Sequence, residues 1–190
     1  MDPTVRHPRS VGGRRQGWNR CFGTLLLAAL VLAPARAAVP EATVKALFLY
    51  HFTHFVSWPP AAFTAAQAPL VIGLWGSDPF GDTLTRVIRD EKAKGHPLEL
   101  RRVANAAEAK SCQILYVALG SEAEFRESNL QSSPILTVGE STAFLRDGGI
   151  IAFRTEAGHI RLRVNLAAAK ESSVAISSNL LRLAEVTERP

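Results

Sequence analysis

From Glu41 onward the apolar residues Val44, Leu47, Phe48, Phe52 and Phe55 recur at three- and four-residue spacings, which predicts an amphipathic helix to about Val56. Pro59-Pro60 ends it, because a proline offers no N–H and restricts the residue before it. Residues 61–68 are alanine-rich and polar and read as a connection or loose helix. Leu70 to Trp75 is a continuous apolar run closed by Gly76, and Ser77-Asp78-Pro79 with the amphipathic stretch to Arg89 predicts a capped helix behind that strand. The alternation continues with strands over 98–103, 114–119 and 135–138, separated by helical stretches over 104–110 and 121–130 and followed by one or two helical turns over 141–146. The uninterrupted hydrophobicity of 114–119 suits a sheet covered on both faces.

After Gly148-Gly149 the period changes to two. Ile151 and Phe153, then Ile160, Leu162 and Val164, alternate on either side of Glu156-Ala157-Gly158, as two antiparallel strands joined by a tight turn require. The rest, Asn165 to Val186, reads as alanine-rich helix interrupted near Ser172-Ser173, ending with Leu180, Leu181, Leu183 and Ala184 on one stripe. The fold class expected is α/β, a three-layer sandwich with a mostly parallel central sheet and a C-terminal antiparallel hairpin at its end.

The first 37 residues follow a different pattern. Arg14, Arg15 and Arg20 precede an apolar stretch from Phe22 to Leu32, and Ala35-Arg36-Ala37 places small residues where an export signal is cut. Cleavage after Ala37 is expected, leaving a single domain over 38–190 in the bacterial periplasm. The apolar stretch falls well short of the ~20 residues that span a bilayer core, so no membrane anchor is expected. The net charge of +5 comes from this leader: Arg6, Arg9, Arg14, Arg15, Arg20 and Arg36 stand there against Asp2, which leaves sixteen basic and sixteen acidic residues beyond it. A nucleic-acid partner loses its electrostatic basis. Cys112 is the only cysteine past the leader, so no intramolecular disulfide can form; a buried thiol and an intermolecular bridge both fit.

Gly76, Ser77, Asp78 and Phe80 lie where open α/β sheets bind ligands, between a strand's carboxyl end and a helix's amino end. A small anion or polar ligand could sit there; equally, Ser77 or Asp78 caps the helix and Gly76 makes the bend. His51 and His54 are neighbours on one helical face, a spacing open to two metal ligands, but no third ligand is evident and a polar rim explains them as well. No nucleophile elbow or paired carboxylates are present, so no catalytic residue, metal or cofactor is expected.

Several stretches together resemble the YfiR-like family of periplasmic regulators. They are Val44-Lys45-Ala46 through Phe48-Leu49-Tyr50 to Phe55-Val56 and Trp58-Pro59; Gly76 with Asp78-Pro79-Phe80-Gly81; Cys112 with Ile114-Leu115-Tyr116-Val117; and Gly148-Gly149 with Ile151 and Phe153. Ile160-Arg161-Leu162, Val164 to Ala169, Ile176-Ser177-Ser178 and Leu180 to Ala184 continue the likeness to the carboxyl end. The resemblance implies an exported α/β protein that binds the periplasmic sensor part of an inner-membrane diguanylate cyclase and represses it, often as a homodimer, lowering cyclic di-GMP and biofilm formation. His51 and His54 replace the Asn and Lys usual in that first helix, and Cys112 alone cannot reproduce the disulfides of better-known members. A repressor needs a surface, and Phe55, Trp58, Pro59 and Pro60 form the expected partner patch; Phe55 and Trp58 equally suit packing of the helix onto the sheet. The alternative function is a soluble small-molecule-binding domain using the crevice near Asp78.

Overall fold

The computed structural model describes residues 39–187; the expected leader and its cleavage point lie outside the described residues. The chain opens with α1 (Glu41–Phe55), followed by a two-residue strand β1 (Val56–Ser57) and a 3-10 turn at Pro60–Ala62. Next come β2 (Leu70–Trp75), α2 (Asp82–Ile88), β3 (Lys92–Ala93), β4 (His96–Val103) and α3 (Ala106–Ala109). β5 (Ile114–Val117), α4 (Glu122–Glu127), β6 (Leu136–Gly139), α5 (Thr142–Arg146), β7 (Ile151–Glu156) and β8 (His159–Asn165) carry the alternation forward. α6 (Leu166–Glu171), β9 (Ala175–Ile176), α7 (Ser178–Leu181) and β10 (Ala184–Thr187) complete it.

Eight strands form one sheet in the order β10-β8-β7-β6-β5-β2-β4-β3. From β4 through β7 every neighbouring pair is parallel, and β2 lies between β4 and β5. That is a doubly wound order, in which the chain changes faces after β4 and opens its crevice at the carboxyl ends of β2 and β5. β2 is buried at all six positions, so both faces must be covered. Leu70, Ile72 and Leu74 pack with residues of α1, α2, α6 and α7, while Val71 and Trp75 pack with Ala109, Phe125, Phe144 and Leu145 from α3, α4 and α5. The three-layer α/β arrangement is thus present, mostly parallel as expected.

The hairpin β7–β8 keeps the register Ile151↔Val164 to Glu156↔His159. Its turn is Ala157-Gly158, both at positive φ, the two-residue geometry that matches strand twist. The hairpin is not the end of the sheet, however: Ala184, expected on a helical stripe with Leu180, Leu181 and Leu183, instead opens β10, which runs to Thr187 parallel to β8. The helix ends at Leu181, and Arg163 clamps Glu185 across the new pair with two hydrogen bonds of 2.8 and 2.6 Å. Two further corrections concern helices. α1 buries Ala46, Leu49 and Phe52 but leaves Leu47 and Phe55 at the surface, so its core stripe is turned from the expected one. The helix behind β2 starts at Asp82 with Gly81 as its N-cap; Asp78 instead organises the turn before it, accepting from the backbone N–H of Phe80 and Gly81. No helix among the described residues is long and apolar enough to cross a membrane.

Phe144 is held between the backbones of Gly139 and Gly149, where an added Cβ would approach its ring carbons to 2.6 and 2.2 Å. Gly149→Ala is therefore expected to lower stability by about 1–3 kcal/mol through overpacking, read as a lower urea midpoint with an unchanged m-value.

Candidate interaction surface

The carboxyl end of α1 is fixed from two sides. The N–H of Ser177 donates to the carbonyl of Phe55 at 2.9 Å, and β1 pairs antiparallel with β9 through Val56↔Ile176. The Lys94 ammonium, carried on the Lys94-Gly95 turn between β3 and β4, donates to the carbonyl of Val56 and to Ser57 Oγ at 2.8 Å. A cation there also suits the negative end of the helix. Phe55, Trp58, Pro59 and Pro60 leave this anchored point together: Phe55 is 37% exposed, Pro60 is exposed, and Trp58 and Pro59 are half-buried. Trp58 packs against the main core cluster, so it serves packing while keeping part of its ring at the surface.

The patch extends along the helix. Leu47, 40% exposed, and His51 and Phe55 stand at successive four-residue steps on the outer face, with the rings of His51 and Phe55 6.4 Å apart. His54 also lies exposed, edge-on to Tyr50 at 5.1 Å, and the Tyr50 hydroxyl donates to Glu91 at 3.0 Å. Leu47 was absent from the expected patch because sequence spacing assigned it to the core. No group of three or more metal-ligating side chains is present among the described residues.

At the carboxyl edge of the sheet, Gly76 at φ +92° lies so close to the loop after β5 that a Cβ would come within 2.3 Å of Ser121 Oγ. Ser77 is exposed, while Phe80 is buried edge-on against Tyr116, centroids 4.9 Å apart. The second oxygen of Asp78 accepts from Arg102 at 2.9 Å. The four residues are thus gathered at the switch point, with the acceptors of Asp78 spent on the chain itself.

Beside them is a network that sequence reasoning missed. Lys45, only 6% exposed in the middle of α1, bridges Glu41 at 2.6 Å and Glu140 at 2.8 Å, and the buried Tyr116 hydroxyl donates to Glu140. Burial, then the bond to Glu140, raises the Tyr116 pKa, so its proton stays in place. Burial disfavours the Lys45 charge, yet the hydrogen bonds to Glu140 and Glu41 outweigh it and the pKa rises. The Lys45 hydrogen bond in turn holds Glu41 below the ordinary carboxyl value. A lysine among the core-facing positions of a helix was the available signal.

Cys112 is buried between β2 and α3, and a Cβ on Gly73 would sit 2.7 Å from its sulfur. Burial pushes the thiol up to about 11, which removes the thiolate needed for exchange. Of the two readings open from sequence, the structure selects the buried thiol.

A family model described as YfiR/HmsC-like matches residues 42–185 of the chain. No curated protein matches it.

Two outcomes follow from the buried groups. Lys45→Met leaves Glu140 without its counter-charge and is expected to cost about 3 kcal/mol in denaturant unfolding at pH 7. In the native protein the Glu41 share of this stability is complete above 4.5 and fades as pH falls through its lowered value, whereas the Lys45 share is complete below 10.5 and fades as pH rises through its raised one; the variant's pH–stability curve should be flatter at both ends. Cys112 is expected to resist a thiol reagent at about pH 8 in the folded protein and to react once denatured, with the label located on the peptide that carries it.

Proposed function

The chain belongs to the YfiR/HmsC-like family, and from that premise we propose that it is a non-enzymatic periplasmic regulator that binds the periplasmic sensor part of an inner-membrane diguanylate cyclase. Binding represses the cyclase, lowering cyclic di-GMP and biofilm formation, and the regulator acts as a homodimer. The observation that carries this reading is the outer stripe of α1. Leu47, His51 and Phe55 remain at the surface and run directly into Trp58, Pro59 and Pro60, at a point held rigid by Ser177 and Lys94. An anchored aromatic and aliphatic strip is what a protein partner can desolvate with little ordering cost. The alternative of a small ligand at Gly76, Ser77, Asp78 and Phe80 has less support, because Phe80 is buried and the Asp78 carboxylate is already matched.

Deleting the gene is expected to raise cellular cyclic di-GMP, and periplasmic crosslinking should recover a cyclase with the wild-type protein. Phe55→Ala should raise cyclic di-GMP toward the deletion level, since loss of a central aromatic contact costs about 2 kcal/mol of binding, roughly 30-fold. Its unfolding midpoint should stay near wild type because the ring packs little of the core. Unchanged cyclic di-GMP in the deletion would remove the repressor reading.

A further inference from the structure

The eight-stranded sheet is finished differently on its two flanks. One flank ends in β3, two residues long, and in β4, which carries Pro97 and the Glu99–Arg101 ion pair at 2.7 Å. Short length, proline and charge are features that discourage a further strand from adding. The other flank ends in β10, which pairs with β8 along one side over Ala184–Thr187; among the described residues no strand pairs with its other side. Those four residues include no proline and no basic side chain. Their one charge, Glu185, is held back toward β8 by the two hydrogen bonds from Arg163. The outward backbone groups of β10 are thus left without a strand and without a guard.

The side chains repeat the pattern. Val138, Ile151, Val164 and Val186 stand level with one another across β6, β7, β8 and β10. The first three belong to the core that α1 covers and are 0% exposed, whereas Val186 is 40% exposed. Leu183, one residue before β10, is 71% exposed. A row of β-branched residues that is dry over three strands therefore breaks off at the fourth.

We propose that β10 pairs antiparallel with β10 of a second copy of this chain, joining two eight-stranded sheets across a two-fold axis. Rotation about an axis normal to the sheet brings the same strand alongside in the opposite direction, so its outward donors and acceptors are met by those of the same segment. The rotation also keeps each face of the sheet on its own side, so even-numbered residues oppose even and odd oppose odd. Two such registers keep most of β10 paired. Centred on Glu185, the pair sets two carboxylates directly opposite, which is repulsive. Centred on Val186, it sets Glu185 opposite the neutral Thr187 of the second copy. The same register carries the aliphatic row through the axis, from Val164 and Val186 into Val186 and Val164 of the second copy. One placement thus closes both the open strand and the broken row using only this chain's own sequence, which selects a second copy over an unrelated strand. The pairing presupposes the homodimer proposed for the chain and leaves the α1 surface free for the cyclase.

A seam of four residues belongs among the small, concentration-dependent interfaces, so association is followed by sedimentation equilibrium of the purified protein from about 1 to 500 µM. Wild type is expected to dimerise reversibly in that range. Val186→Asp and Val186→Lys each bring like charges together at the axis and should weaken the dimer at least about tenfold. Mixed in equal amounts, the two should associate again as a heterodimer, a recovery that a fault in folding does not give. Val186→Cys, closer to the native side chain, should be joined to a second copy by a short bismaleimide, with the link located at position 186. A dimer that persists in both charged variants, that fails to return when the two folded variants are mixed, or that leaves Val186→Cys unlinked overturns the pairing while the homodimer stands. A wild-type chain monomeric throughout overturns both, and if cyclase capture then falls with Val186→Asp, the open side of β10 belongs to the cyclase.

Discussion

β2 is the constraint on which the rest depends. With all six residues of Leu70–Trp75 buried and a neighbour hydrogen-bonded on each side, it cannot tolerate water on either face, and the chain has to supply two coats of helix. α3, α4 and α5 are short and cover one face through a few large side chains, Phe125 and Phe144 above all. The other face is covered chiefly by α1, whose 15 residues lay Ala46, Leu49 and Phe52 onto the sheet. Burying residues such as Leu49 and Phe52 contributes roughly 1.5–3 kcal/mol each. One stripe of a straight helix can do this; the opposite stripe is left facing outward, and in this chain it carries Leu47, His51 and Phe55.

The two edges of the sheet have been put to different uses. The carboxyl edge is where doubly wound folds ordinarily open to ligands; here Asp78 pairs with Arg102 and two backbone N–H groups, Tyr116 with Glu140, and Glu140 with Lys45, while Glu122 Oε1 stays buried without a partner among the described residues. Such a network ties α1 to the ends of β5 and β6 and fixes the helix in rotation. The amino edge is held together differently. Gln113 accepts from Val71 N–H at 2.8 Å while donating to Ala62, so one buried amide joins β2, β5 and the segment after α1. That segment is stretched over the edge without filling the space beneath it, and an open groove lined by Trp58, Phe63 and His96 results.

What could be read from sequence follows the range of the forces involved. The strand at 70–75 and the turn at 157–158 are set by adjacent residues, an unbroken apolar run in one case and two residues that adopt positive φ in the other, and both were legible. The rotation of α1 was not, because Leu47, Phe48, Phe52 and Phe55 make as good a stripe by spacing as Ala46, Leu49 and Phe52; the choice is made by Lys45, which must reach Glu140 ninety-five positions away. β10 was hidden for a similar reason: Leu180 to Ala184 has helical spacing, and only pairing with β8 carries Ala184 to Thr187 into a strand. β1, β3 and β9 are two residues each, too short for any period. The cluster of Phe55, Trp58, Pro59 and Pro60 was legible as a run of residues at a helix end, but the groove beneath Trp58 depends on His96 and Gln113 arriving from distant strands.

Trp58 is where these strands of reasoning meet. It follows a helix end anchored by Ser177 and Lys94, packs partly on the core, and keeps its indole N–H buried without an acceptor among the described residues. Cys112 is a poor point for thiol control, since it is sealed within the sheet and its pKa is raised. What the helix end offers instead is a fixed surface: Ser177 and Lys94 hold the carbonyls of Phe55 and Val56, so the chain from Phe55 to Pro59 leaves the helix along one defined path.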